Sequence, residues 1–232
     1  MRSRYSGCPT ESVFAFENVE ARVTVKGESI NASVLEIAPR ELKLLTSTFC
    51  PRWVSVGIRL QSALDGVDAL VLGVVHWIQR VEDGWQIGIW LDEEVAECIV
   101  SSFWQDMRRE LRYEVNWGAV AQFPDGARHA IQITNYSLNG MRFVSSNAIA
   151  NANEFLLWNS FDPCAAVTCG VTSWSSASAS QRYIVGCNLS DEGGFALARA
   201  FTEVPLPTNP GANAEDETKL QVARDLLQFT GK

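Results

Sequence analysis

The chain has 232 residues, of which 47% are hydrophobic and 20% charged, and its formal net charge is −8. This composition supplies a packed core for two small domains or one large one and excludes a globally disordered chain. The acidic balance argues against a nonspecific nucleic-acid binder, because such proteins present a basic field to phosphates. No apolar run has the length of a signal peptide or a membrane span, so we expect a cytoplasmic protein without membrane insertion.

The first half of the chain predicts a series of short strands after a poorly patterned lead-in. Polar and apolar residues alternate in runs that Gly, Pro or Asp interrupt, near residues 22–26, 30–37, 42–46, 53–60, 69–78 and 85–91. Several short strands at this spacing are typical of an antiparallel barrel or sandwich. We therefore predict a mainly β fold.

A helix is predicted after these strands. Val95, Ile99, Phe103 and Met107 recur every four residues, and the acidic residues 92–94 stand in the first turn, where the helix dipole favours them. This pattern predicts a helix over about 92–107 that runs directly into a cluster of arginines.

The strand pattern then starts again as a repeat of the first half. Gly27 corresponds to Gly126, residues 36–41 to residues 135–140, and Trp77 to Trp174, with an offset of 97–99 residues throughout. This regularity indicates two copies of one domain.

The end of the chain has a different pattern. Residues 205–213 are rich in Pro, Asn and Gly and are interpreted as a linker. An amphipathic helix is predicted over residues 215–229. It has two interpretations, since its apolar side could cover a barrel face or contact a partner.

The second copy carries the residues best suited to an anionic ligand. Arg108, Arg109 and Arg112 form a local basic cluster, and Arg108 and Arg112 can both direct guanidinium groups at phosphates or a purine. Asn135 and Ser137 share one face of an extended chain, and Gly140 permits a tight turn. The structural alternatives are that the arginines cap the preceding helix and that Asn135–Gly140 is an ordinary turn.

The combination of RxxxR at Arg108–Arg112 with NxSxxG at Asn135–Gly140 resembles the PilZ domain, a bacterial receptor for cyclic di-GMP. The resemblance implies two tandem six-stranded antiparallel barrels with a linking helix and a C-terminal helix. It divides the chain into a barrel with its linking helix (1–106), a second barrel (107–204), and a linker with a C-terminal helix (205–232). It also implies a cyclic di-GMP site formed by Arg108, Arg109, Arg112, Asn135, Ser137 and Gly140.

The two tryptophans of the repeat are predicted to be barrel core. The Trp174 position is nevertheless one that approaches the guanine in PilZ domains, and Trp174 is therefore included in the site that the resemblance implies.

The first copy departs from the ligand motif. Glu36, Ala38 and Glu41 stand where the second copy has Asn135, Ser137 and Gly140. Two carboxylates would repel a doubly negative ligand, so we predict a first barrel without a functional site. Scaffolding, dimerisation and contact with a protein partner are the roles left open for it.

No constellation for enzymatic catalysis is apparent. The two histidines, His76 and His129, lie in predicted strands, and the sequence contains neither a metal-ligand spacing nor a nucleotide-hydrolysis motif. The six cysteines lack CxxC spacing and are predicted to be buried thiols. We therefore expect a non-enzymatic effector without a metal or resident cofactor, which binds cyclic di-GMP, changes its domain arrangement and regulates a protein partner. The alternatives are a ligand-independent interaction scaffold and a receptor for another nucleotide.

Overall fold

The structure is a computed structural model that describes residues 19–62, 67–95, 100, 110–160, 162–178 and 182–202. It contains two compact units, and the division between them falls between Tyr113 and Glu114. Within the described residues, no helix is both long and apolar enough to span a membrane. Each unit contains one closed barrel, in which neighbouring strands pair antiparallel.

The first barrel consists of six strands in the order β1-β2-β3-β6-β5-β4. Its apolar residues alternate along each strand, so that one face of every strand fills the interior. Val23, Ile58 and Ile87 are examples of fully buried core residues. The strands are β1 (Val19–Val25), β2 (Glu28–Ala38), β3 (Glu41–Thr46), β4 (Ser55–Ser62), β5 (Val67–Val81) and β6 (Gly84–Leu91).

The second barrel repeats this topology and adds a helix, α1 (Gly193–Thr202), directly after its last strand. Leu197 and Ala198 of α1 are buried, and the helix packs against β11 and β9. The strands are β7 (Tyr113–Gln122), β8 (Arg128–Tyr136), β9 (Gly140–Ser145), β10 (Glu154–Asn159), β11 (Asp162–Ala177) and β12 (Tyr183–Leu189), in the order β10-β11-β12-β9-β8-β7.

The two barrels share irregularities as well as the strands that the sequence repeat predicted. The register of β2 against β3 shifts between Val34 and Glu36, and that of β8 against β9 shifts between Ile133 and Asn135. A second pair of shifts lies just before Trp77 in β5 and just before Trp174 in β11. Such β-bulges redirect side chains, and here each one immediately precedes a residue at a motif position of the repeat.

The helices differ from those predicted from the sequence. The helix predicted over 92–107 is wrong at its start, because residues 92–95 are bends and coil. Val100 is helical. The other residues of the predicted helix, 96–99 and 101–107, lie outside the described residues. Val95 is held instead by its backbone N–H, which donates to the Pro39 carbonyl (2.7 Å). The helix predicted over 215–229 also lies outside the described residues, and α1 was not predicted.

Candidate functional site

The Asn135–Gly140 motif forms the tight connection between β8 and β9. The Ser137 N–H donates to the Gly140 carbonyl (2.8 Å), and the Ser137 hydroxyl approaches the same oxygen (3.5 Å). A Cβ on Gly140 would lie 3.1 Å from the Cys187 carbonyl oxygen and 3.3 Å from Ser137 Oγ. The close approach of β12 therefore favours glycine at this position.

Asn135 belongs to a small polar cluster on the outer face of the barrel. Its Nδ2 donates to Glu114 Oε1 (3.2 Å), and Arg142 Nη2 lies 3.8 Å from the same oxygen. Arg142 Nε also donates to the Thr134 hydroxyl (3.3 Å). The structure thus adds Glu114 and Arg142 to the neighbourhood of the motif. Arg142 was not among the site residues predicted from the sequence.

Strand register places four residues, Asn135, Arg142, Gly186 and Trp174, in one row across the sheet. Trp174 of β11 pairs with Gly186 of β12, Gly186 pairs with Arg142 of β9, and Arg142 pairs with Asn135 of β8. We call these residues the second-barrel row. It presents an indole, a glycine without a side chain, a guanidinium and an amide in succession.

Trp174 is not a core residue. Its side chain is 44% exposed, whereas its counterpart Trp77 in the first barrel is 5% exposed. The indole covers Gly186, because a Cβ there would lie 2.2 Å from Trp174 Nε1. Trp77 is therefore buried as predicted, whereas the prediction of core burial is wrong for Trp174, whose ring lies on the outer surface.

The helix α1 supports the motif connection from the other side. The Gly194 N–H donates to the Leu138 carbonyl (2.8 Å), and the Glu192 N–H donates to Asn139 Oδ1 (3.3 Å). A Cβ on Gly194 would lie 2.0 Å from the Ser137 carbonyl oxygen. Gly194 thus lets the first turn of α1 approach the motif backbone. Paired glycines weaken a helix, which is why the sequence pattern did not reveal this element.

The predicted arginines are placed only in part. Arg108 and Arg109 lie outside the described residues, whereas Arg112 is described, is exposed, and belongs to the first compact unit. Its neighbours Leu111 and Tyr113 are both buried. Its carbonyl accepts a hydrogen bond from Lys43 Nζ (3.4 Å).

The two carboxylates of the first copy do not form a joint anionic surface. Glu36 forms an ion pair with Lys43. Glu41 is 1% exposed; its Oε1 accepts from Trp90 Nε1 (3.1 Å) and its Oε2 from the Leu111 N–H (2.8 Å). The predicted repulsion of a ligand by two carboxylates therefore does not describe this barrel, because both are engaged in contacts with the chain itself.

An open cavity of about 750 Å³ lies elsewhere on the second barrel. Its lining includes Phe155, Leu156, Val171 and the exposed thiol of Cys169, and Glu154 is the one charged lining residue. A mostly apolar cavity with a single carboxylate does not suit a phosphate ligand. Cys169 also shows that the prediction of buried thiols is wrong at this position, although Cys50 and Cys187 are buried.

Among the described residues, no group of three or more His, Cys, Asp and Glu side chains is arranged to hold a metal ion. His76 is fully buried in the first barrel, and burial, with a smaller effect of Arg52, holds its pKa well below the usual value.

Comparison with protein-family models and with curated proteins finds no match. Solved structures similar to this chain include the Bacillus subtilis inhibitor of motility MotI/DgrA, with 12% identity over 82% of this chain and 98% of that chain and a TM-score of 0.31. Borreliella burgdorferi PlzA in complex with c-di-GMP has 12% identity over 80% and 90% of the two chains and a TM-score of 0.35.

Escherichia coli YcgR in complex with c-di-GMP has 11% identity over 92% of this chain and 84% of that chain, with a TM-score of 0.27. The chain's own topology contains two closed six-stranded antiparallel barrels in tandem, which confirms the fold that the resemblance to the PilZ domain implied.

Proposed function

We propose that the chain is a cyclic di-GMP effector whose ligand binds on the outer face of the second barrel. The single observation that carries the proposal is the second-barrel row beside the motif connection, because it combines an exposed aromatic ring with a guanidinium and a buried amide. Cyclic di-GMP contains two purine bases and two phosphates. An indole can stack on a purine, and a guanidinium can pair with phosphate oxygens.

In this proposal each motif residue has a defined role. Trp174 stacks on a guanine, Arg142 and the arginines of the preceding segment (Arg108, Arg109 and Arg112) pair with phosphate or purine acceptors, and Asn135 and Ser137 donate hydrogen bonds. Gly140 permits the tight backbone of the connection. Binding requires no bond to be made or broken, so the protein acts as a receptor rather than an enzyme. It is proposed to act in the cytoplasm on a protein partner.

Isothermal titration calorimetry with cyclic di-GMP, cyclic di-AMP and GTP tests the proposal. We expect saturable binding of cyclic di-GMP and weaker binding of the other two. Arg112→Ala should weaken the affinity about ten-fold or more, because it removes a charge-assisted contact. Arg22→Ala, which removes an exposed arginine from the first barrel, is the matched control and should leave the affinity unchanged. An unchanged affinity in Arg112→Ala would remove this residue from the site.

A ligand-independent interaction scaffold is the second candidate, and one observation favours it. Leu70 and Leu72 of β5 are 73% and 57% exposed on the outer face of the first barrel. Adjacent exposed leucines are typical of contact surfaces. If the chain is such a scaffold, we expect none of the three nucleotides to bind. We also expect the wild-type chain to form a homodimer in analytical ultracentrifugation, and a Leu70→Ser, Leu72→Ser variant to remain monomeric.

A further inference from the structure

The first barrel contains a row of residues equivalent to the second-barrel row. Trp77 of β5 pairs with Gly88 of β6, Gly88 pairs with Lys43 of β3, and Lys43 pairs with Glu36 of β2. We call these residues the first-barrel row. An aromatic ring, a glycine and a cation therefore occur in the same order as Trp174, Gly186 and Arg142 do in the second barrel.

The first-barrel row is covered by a residue of the chain itself. The ring of Tyr113 lies over Gly88, because a Cβ on that glycine would be 2.4 Å from Tyr113 Cε1. The ring centroid of Tyr113 is 5.5 Å from that of Trp77, and Lys43 Nζ is 5.5 Å from the Tyr113 centroid. The Tyr113 ring thus lies beside both an indole and a cation, and Lys43 Nζ is itself 5.8 Å from the Trp77 centroid. An indole and a cation are the kinds of group that would hold a base in the proposed ligand site.

Burial distinguishes the two rows. Tyr113 is fully buried and Trp77 is 5% exposed, whereas Trp174 is 44% exposed. His76 completes the enclosure of Tyr113, with a centroid separation of 4.4 Å in an edge-to-face arrangement. The first-barrel row is therefore closed, and the second-barrel row is open to solvent at its tryptophan.

Glu41 holds the same segment by its backbone. Glu41 occupies the position of the motif glycine Gly140, and its carboxylate accepts the Leu111 N–H (2.8 Å) while also accepting from Trp90 (3.1 Å). Lys43 adds a hydrogen bond to the Arg112 carbonyl (3.4 Å). Side-chain and backbone contacts from β3, β5 and β6 thus converge on residues 111–113, and the side chain of Arg112 stays exposed.

We propose that the first barrel uses the surface equivalent to the proposed nucleotide site of the second barrel to bind residues 111–113 of its own chain, with Tyr113 in place of a base, and so positions Arg112 for the proposed ligand. The positioning half rests on the proposed function. Glu41 is then a positioning residue, since it acts on the ligand through the Leu111 backbone. A buried acceptor that receives two N–H groups leaves both donors unpaired when it is removed, so its loss should release the segment.

The experiment uses the full-length chain with two variants on different elements, Glu41→Ala in β3 and Tyr113→Ala in β7. Exchange of the Leu111 amide, followed by NMR without ligand, should become at least ten-fold faster in both variants. Cyclic di-GMP affinity, measured by calorimetry, should fall about five-fold to ten-fold. Leu60→Ala, a core substitution in β4, is the control for a general loss of stability and should change neither quantity at a temperature well below unfolding.

Each outcome decides one part of the proposal. Unchanged Leu111 exchange in both variants would overturn the binding of residues 111–113 by the first barrel, whatever the affinity. Faster exchange with an unchanged affinity would overturn the positioning of Arg112. If wild-type protein binds no cyclic di-GMP, the proposed function fails, and with it the positioning half, while the exchange data still decide whether the first barrel holds the segment.

Discussion

Glu41 and Gly140 stand at the same barrel position and have opposite roles. Gly140 permits a tight motif connection, whereas Glu41 accepts two buried hydrogen bonds. Burial raises the pKa of Glu41 to about 7, although the N–H groups of Leu111 and Trp90 oppose the rise; Glu110 adds to it and Lys43 opposes it. Glu41, which stands where the second copy has a glycine, thus places a titratable group in the first barrel.

This pKa predicts a pH dependence of stability. Because the folded protein holds the Glu41 proton more tightly than the unfolded chain, this group stabilises the fold fully below about pH 4.5, and the contribution is lost as the pH rises through about 7. Over that window, the free energy of unfolding of wild type should fall by about 3 kcal/mol relative to Glu41→Gln, which cannot ionise. Urea unfolding of both proteins at several pH values measures the difference. Parallel pH profiles would contradict the prediction.

At the scale of elements, α1 and the bulges determine the shape of the proposed site. The register shift in β8 precedes Asn135, and the shift in β11 precedes Trp174, so both side chains reach the outer face. The first turn of α1 then contacts the connection that follows Asn135. The motif backbone is therefore held by an element more than fifty residues later in the chain.

Gly194→Ala tests this support. Its new Cβ would lie 2.0 Å from the Ser137 carbonyl oxygen and 2.7 Å from that of Leu138, so either the connection or α1 must move. We expect a lower melting temperature and an affinity for cyclic di-GMP at least five-fold weaker, measured by thermal unfolding and calorimetry. Gly118→Ala in β7 is the matched control, since its nearest neighbour beyond the adjacent residues, Ser160 Oγ, is 3.8 Å away. Equal effects of the two substitutions would show that α1 does not support the site.

At the scale of the whole molecule, the chain passes from one compact unit to the other between Tyr113 and Glu114. Arg112 and Asn135 therefore belong to different units, although both are proposed to bind one ligand. A ligand changes an arrangement only through contacts that differ between two states, and contacts to residues of both units satisfy this condition.

We therefore predict that cyclic di-GMP changes the domain arrangement or orders the segment near residues 107–113. Small-angle scattering and amide hydrogen exchange with and without ligand measure the two effects. The Arg112→Ala variant at the same ligand concentration is the control and should show a smaller response. Tight binding with unchanged scattering and exchange would contradict the switch and would instead describe a rigid adaptor.

Local patterns were sufficient to predict the strands, their repeat and the motif connection, and the resemblance to the PilZ domain implied the two barrels. Strand alternation and glycine turns are local patterns, and an internal repeat is visible without knowledge of contacts. The six strands of the first barrel were predicted close to their observed bounds for this reason. A tight connection at Asn135–Gly140 could also be predicted from local residues, whereas the close approach of the Cys187 carbonyl oxygen to Gly140 could not.

The differences in packing between the two copies depend on contacts between residues distant in sequence. Glu41 is separated by 70 residues from the Leu111 amide that it binds. Glycine is favoured at position 88 because the ring of Tyr113 packs over it. Trp77 and Trp174 occupy equivalent positions, and no local pattern distinguishes them. One is buried because residues 111–113 fold back over it, and the other is exposed because no described segment covers it to the same extent. Burial depends on contacts between residues distant in sequence, which alternation and spacing do not encode.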